Sequence, residues 1–102
     1  MSEAFIQLMA EHRRLVILRA LASDQTAGKA NDSILHTIVV DRGVQSSRDQ
    51  IKAALSWLKD QGMVTLKTLE SGTFVATITQ TGLDVACGNA IVPGVQRPSP
   101  GA

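Results

Sequence analysis

Ser46–Gly82, SSRDQIKAALSWLKDQGMVTLKTLESGTFVATITQTG, decides the fold. A helix is expected to begin at Ser46 or Ser47, where Ser46 and Asp49 form an S-x-x-D capping box that satisfies backbone N–H groups at the helix start. With Ile51 at the centre of the buried face, Ala54, Leu55 and Leu58 fall within about 60° of it at 100° per residue. Gln61-Gly62 closes the helix. Val64 and Leu66 then alternate with Thr65 and Lys67, a turn follows at Glu70-Ser71-Gly72, and Phe74, Ala76 and Ile78 alternate with Thr and Val. Two short strands around a tight turn result. Thr79 is placed to cap a last short helix through about Cys87, with Leu83 and Ala86 closing the core.

Working outward, Asn31, Asp32 and Ser33 are cap residues ahead of a short amphipathic helix, Ile34, Leu35, Ile38 and Val39, that stops at Gly43. Val44 is expected to tuck inward between the two helices. Helix, turn, helix and hairpin in this order are the plan of a winged helix-turn-helix, an α+β fold that is mostly α. Residues 2–22 contain neither Gly nor Pro and form one long helix, or two joined near His12, with Ser2 as N-cap. Phe5, Leu8 and Met9 make a stripe on its first half, either a dimer interface or a cap on the chain's own core. Ser23–Ala30 reads as a loop with a residue or two pairing at the hairpin edge. The winged-helix domain is assigned to 1–88. Residues 89–102, with three prolines, form an extended Pro/Gly-rich tail.

The 102 residues, 44% apolar, enclose one core. Ten basic against nine acidic residues leave a net charge of +1, so any nucleic-acid site is a local patch rather than a global field. No signal peptide and no apolar run near the ~20 residues of a membrane span are expected, and a single cysteine builds no disulfide framework. His12 and His36 lack a Cys, Asp or Glu at i+3 or i+4, and no phosphate-binding or nucleophile motif occurs. The expectation is a protein without catalytic, cofactor or metal residues. Cys87 is expected to be buried.

The residues that carry a binding hypothesis lie on the third helix. Arg48 and Lys52 sit one turn apart near its N-terminus, where a recognition helix meets base edges and the helix dipole favours phosphate. Ser46 and Ser47 would hold a phosphate at the helix start, Gln50 and Ser56 would add base-edge contacts, and Lys59 continues the basic flank. Against this, Asp49 and Asp60 share the face and Glu70 stands at the hairpin tip, as on an ordinary solvated surface. Trp57 borders the core, packed on the hairpin or first helix, or else anchors a partner.

Arg48–Val64, R-D-Q-I-x-x-x-L-S-W-L-x-x-Q-G-M-V, with the hairpin and I-T-Q-T-G-L-D-V-A after it, resembles the ArsR and MarR-type winged-helix superfamily over about Glu11 to Gly88. The ending G-L-D-V-A-C-G-N-A-I-V-P-G-V-Q-R-P-S-P-G is similar to that of small winged-helix proteins of Mu-like bacteriophages and prophages. The resemblance implies a dimeric DNA-binding regulator of transcription in the bacterial host cytoplasm, binding double-stranded DNA. Because genes of that family tend to lie near morphogenesis and packaging genes, it also implies an alternative: a protein-interaction module docking a phage protein through Val92–Ala102. ArsR metal sensing is not carried over, since Cys87 has only His36 as a companion.

Overall fold

The computed structural model describes residues 2–98. Four helices and a three-stranded antiparallel sheet alternate in the order α1 (Glu3–Leu21), β1 (Lys29–Asn31), α2 (Asp32–Asp41), α3 (Arg48–Asp60), β2 (Val64–Thr68), β3 (Phe74–Ile78) and α4 (Gln80–Ala86). The fold is α+β and mostly helical.

Each helix starts where a side-chain oxygen accepts an orphan backbone N–H. Ser2 caps α1 by accepting from Phe5 N, Asn31 caps α2 from Ile34 N, and Thr79 caps α4 from Gly82 N. α1 is continuous through His12. For α3 the expected Ser46/Asp49 box is corrected by one residue: Ser47 accepts from Gln50 N at 3.0 Å while the Gln50 side chain accepts from Ser47 N at 2.9 Å. Ser46 is unavailable because its hydroxyl is bonded elsewhere.

Leu15, Val16, Ile17 and Leu18 are buried around the whole circumference of α1, which makes its C-terminal half the central post of the core. Against it pack Leu35 and Val39 of α2, the Ile51/Ala54/Leu55/Leu58 stripe of α3, and Met63, Val64 and Ala76 of the hairpin. Val44 is buried between α2 and α3 as the turn pattern predicts.

The sheet order is β1-β3-β2, with Ala30 opposite Ala76 and Leu66 opposite Ala76 on the other side. The pairing foreseen at the hairpin edge is therefore a strand in its own right. α4 closes the core through Val85 and Ala86, with Leu83 only half-buried, and Cys87 is exposed rather than buried. Cys87 is the C-cap residue of α4, where the helix ends at the surface.

Residues 89–98 depart from the expected extended tail. The chain turns at Pro93 and Gly94, whose φ of +99° favours glycine, and returns along α1. Val95 enters the core, Gln96 N donates to Glu11 O at 3.3 Å, and Arg14 Nη1 donates to Gly94 O at 2.8 Å. Residues 99–102 of the tail lie outside the described part. Among the described residues no helix is long and apolar enough to cross a membrane.

The tightest approach in the packing is at Gly82, where a Cβ would stand 2.2 Å from the Met63 carbonyl oxygen. Gly82→Ala is expected to lower the unfolding free energy by at least about 2 kcal/mol in urea denaturation; an unchanged midpoint would show that α4 does not pack against Met63 as described.

Candidate nucleic-acid interface

The turn leading into α3 is held from two sides. Arg13 of α1, 8% exposed, donates from Nε to Ser46 Oγ at 2.6 Å and from Nη2 to Gln45 O at 3.1 Å. Ser46 Oγ donates its own hydrogen bond to Val44 O at 3.0 Å, and His36 Nε2 donates to Ser46 O at 2.8 Å, since a carbonyl oxygen can only accept. Burial pulls the pKa of Arg13 below its ordinary value, and the adjacent Arg14 adds to this. Arg13 is a structural clamp on this turn.

A second anchor joins three elements. Asp32, fully buried at the start of α2, accepts from Arg48 Nη2 through Oδ1 at 2.8 Å and from Phe74 N through Oδ2 at 3.2 Å. Lys52 Nζ lies 3.7 Å from the same carboxylate, donates to Gly72 O at 2.9 Å and stands 5.2 Å from the centroid of the Phe74 ring. One carboxylate thus ties the start of α2 to α3 and to β3, and Lys52 ties α3 to the hairpin turn. No sequence pattern points to Asp32 beyond its place among three cap residues.

Of the seven expected contact residues, Ser46, Ser47, Gln50, Arg48 and Lys52 all make intrachain side-chain hydrogen bonds. Arg48 remains 47% exposed at its side chain and uses one nitrogen on Asp32. Ser56 and Lys59 make no such bond among the described residues and stand exposed, with Ala53, on the outer face of α3. Asp49 and Asp60 share that face.

Trp57 is half-buried against α1 and the returning chain. The Arg14 guanidinium lies 4.1 Å from its ring centroid, and Gly94 sits so close that a Cβ would be 2.4 Å from the ring. His12 pairs with the Gln96 side chain. No group of three or more His, Cys, Asp or Glu side chains fit for a metal occurs among the described residues.

The chain is 43% identical over 95 residues to the uncharacterized protein gp26 of Escherichia phage Mu, covering 93% of this chain and 96% of that one. It is 39% identical over 80 residues to an uncharacterized protein of Haemophilus influenzae, covering 78% and 76%. No protein-family model matches the chain, and no solved structure matches it.

The Asp32 anchor makes an alanine scan of α3 a test of stability before it is a test of binding. Asp32→Ala is expected to cost about 3 kcal/mol, since it leaves Phe74 N without its acceptor and removes the carboxylate that Arg48 and Lys52 share. Arg48→Ala should cost about 1–2 kcal/mol by leaving the carboxylate to the Phe74 N–H and the more distant Lys52, and Lys59→Ala nothing measurable. Urea denaturation of the three variants checks the order; equal stability of Asp32→Ala and the parent would contradict it.

Proposed function

We propose that this chain, which belongs to the same family as gp26 of Escherichia phage Mu, is a winged-helix protein that binds double-stranded DNA and regulates transcription for a Mu-like phage or prophage. In this reading α2 and α3 are the helix-turn-helix, α3 enters the major groove, and the β2–β3 hairpin is the wing beside it. The observation that carries it is the outer face of α3. From Ser47 through Ala53 and Ser56 to Lys59 it is uncovered, small in the middle, and joined to the hairpin by the Lys52–Gly72 bond, so helix and wing approach a duplex as one body.

The contacts divide by what the side chains have left to offer. Ser56 and Lys59 reach base edges and phosphate, while the Arg48 donors not engaged by Asp32 reach the backbone near the helix N-terminus. Ser46 and Lys52 hold the reading helix in place instead of touching DNA.

One observation favours a second reading, a protein-interaction module of phage morphogenesis or DNA packaging. The three cations of α3, Arg48, Lys52 and Lys59, are matched by Asp32, Asp49 and Asp60, and Glu70 sits in the hairpin turn. In that reading the docking segment is Val92–Ala102, and its described part, residues 92–98, would have to come away first, since Val95 is buried in the core and Gln96 N is bonded to Glu11 O of α1.

Few uncommitted cations imply few phosphate contacts. Duplex binding followed by fluorescence anisotropy should weaken with salt at a log–log slope of about −3, the value for roughly three phosphates. Ser56→Glu/Lys59→Glu should weaken it by at least about tenfold without changing the urea midpoint. Undetectable duplex binding at low salt would overturn the proposal and leave the interaction module.

A further inference from the structure

Arg13 and Arg14 are neighbours on α1, Arg13 buried and Arg14 half-buried. Among the described residues neither guanidinium has an ion-pair partner, both ion pairs being made by Asp32. What holds them is neutral: Arg13 donates to Ser46 Oγ and Gln45 O, while Arg14 donates to Gly94 O and stacks on Trp57. Burial pulls the pKa of each below its ordinary value; the charge of Arg14 adds to this at Arg13, and Glu11 works against it at Arg14. Two positive charges thus stand side by side, partly out of water and without a counter-charge, which is costly.

The pair lines a cleft of about 180 Å³ between α1 and α3, with Trp57 as one wall, Ala10 and Ala53 as small sides, and no carboxylate in the lining. Hydrogen-bond donors remain on all three polar side chains. Arg13 Nη1, Arg14 Nε and Nη2, and Nε2 of Gln50, whose Oε1 is taken by Ser47 N, have no acceptor among the described residues. Arg13 Nη1 is within reach of solvent, because among the described residues no fully buried side-chain nitrogen lacks a partner.

We propose that this cleft binds the phosphate group of a small molecule, with Arg13 and Arg14 as its cationic donors and Gln50 as a neutral one. A phosphate monoester carries nearly two negative charges at neutral pH and matches both guanidiniums at once, whereas a carboxylate matches one. Size points the same way. A cavity of about 150 Å³ holds one benzene ring, so this cleft takes a phosphate and little of what it is attached to. A duplex phosphodiester carries one charge and two ester chains, and Arg13, 8% exposed, is too far buried to meet it. The site therefore goes beyond the duplex-binding reading and does not rest on it.

Trp57 is the only tryptophan of the chain, so its fluorescence reports this cleft. Titration of the full chain with potassium phosphate at mildly alkaline pH, against potassium chloride at matched ionic strength, should give a saturable change with a Kd of about 1 mM or tighter. Sulfate, a dianion of the same shape, should compete, and acetate should bind at least about tenfold more weakly. Isothermal titration calorimetry, which does not depend on the surroundings of the ring, reads the variants. Ala53→Glu, a carboxylate at an exposed position of the lining, and Arg14→Met should each weaken phosphate binding by at least about tenfold with an unchanged far-UV circular dichroism spectrum. Ala53→Gln, equal in size without the charge, and Lys59→Ala, outside the cleft, should retain it. No saturable response into the tens of millimolar, a response that chloride reproduces, acetate as tight as phosphate, or binding indifferent to both Ala53→Glu and Arg14→Met would overturn the proposal.

Discussion

The fold around α3 depends on one buried carboxylate. Asp32 is taken wholly out of water, which is costly for an ion unless its oxygens are matched by donors. Arg48 Nη2 and Phe74 N supply two of those donors, and Lys52 adds a positive charge at 3.7 Å. The three belong to α3 and β3, while Asp32 itself opens α2. The carboxylate thus fixes the angle at which α3 leaves the α2–α3 turn and the position of the hairpin beside it. Arg13 sets the other end of that turn by holding Ser46 and Gln45 from α1.

This arrangement reassigns the basic residues of α3. Arg48 and Lys52 look like a recognition pair when read along the helix, yet Arg48 gives one nitrogen to Asp32 and Lys52 donates to Gly72 O in the hairpin turn. The charge that steers many proteins onto a polyanion is balanced here by buried and exposed acids, which leaves shape to carry more of any duplex contact. The small residues Ala53 and Ser56 at the centre of the outer face suit that role. The rigidity conferred by Asp32 and Lys52 is what allows an uncovered helix face and a hairpin to be presented together.

Much of the fold was legible because its signals are local. The Ile51/Ala54/Leu55/Leu58 stripe, the Gly43–Val44 turn, the Thr79 cap and the alternation through Phe74, Ala76 and Ile78 each need only a few neighbouring residues, and all occupy the places expected. What was hidden is what joins distant positions. Asp32 meets Arg48 and Phe74 across separations of 16 and 42 residues, which leaves no period to read. Two adjacent serines made the start of α3 ambiguous, and Arg13, 33 residues from Ser46, decides between them by occupying the Ser46 hydroxyl. β1 is too short to show alternation. The return of residues 89–98 rests on a single buried valine and a glycine against Trp57, too sparse to stand out in a Pro/Gly-rich segment.

The central claim, that the outer face of α3 and its hairpin form a duplex-binding surface built on the Asp32 anchor, is tested most directly by backbone amide NMR during titration with a mixed-sequence DNA duplex at low salt. The account predicts shifts concentrated at Ser47, Arg48, Ala53, Ser56, Lys59 and the hairpin turn, with the Phe74 amide, held by Asp32, little changed. Shifts absent from α3, or confined to the first half of α1 and residues 89–98, would contradict it.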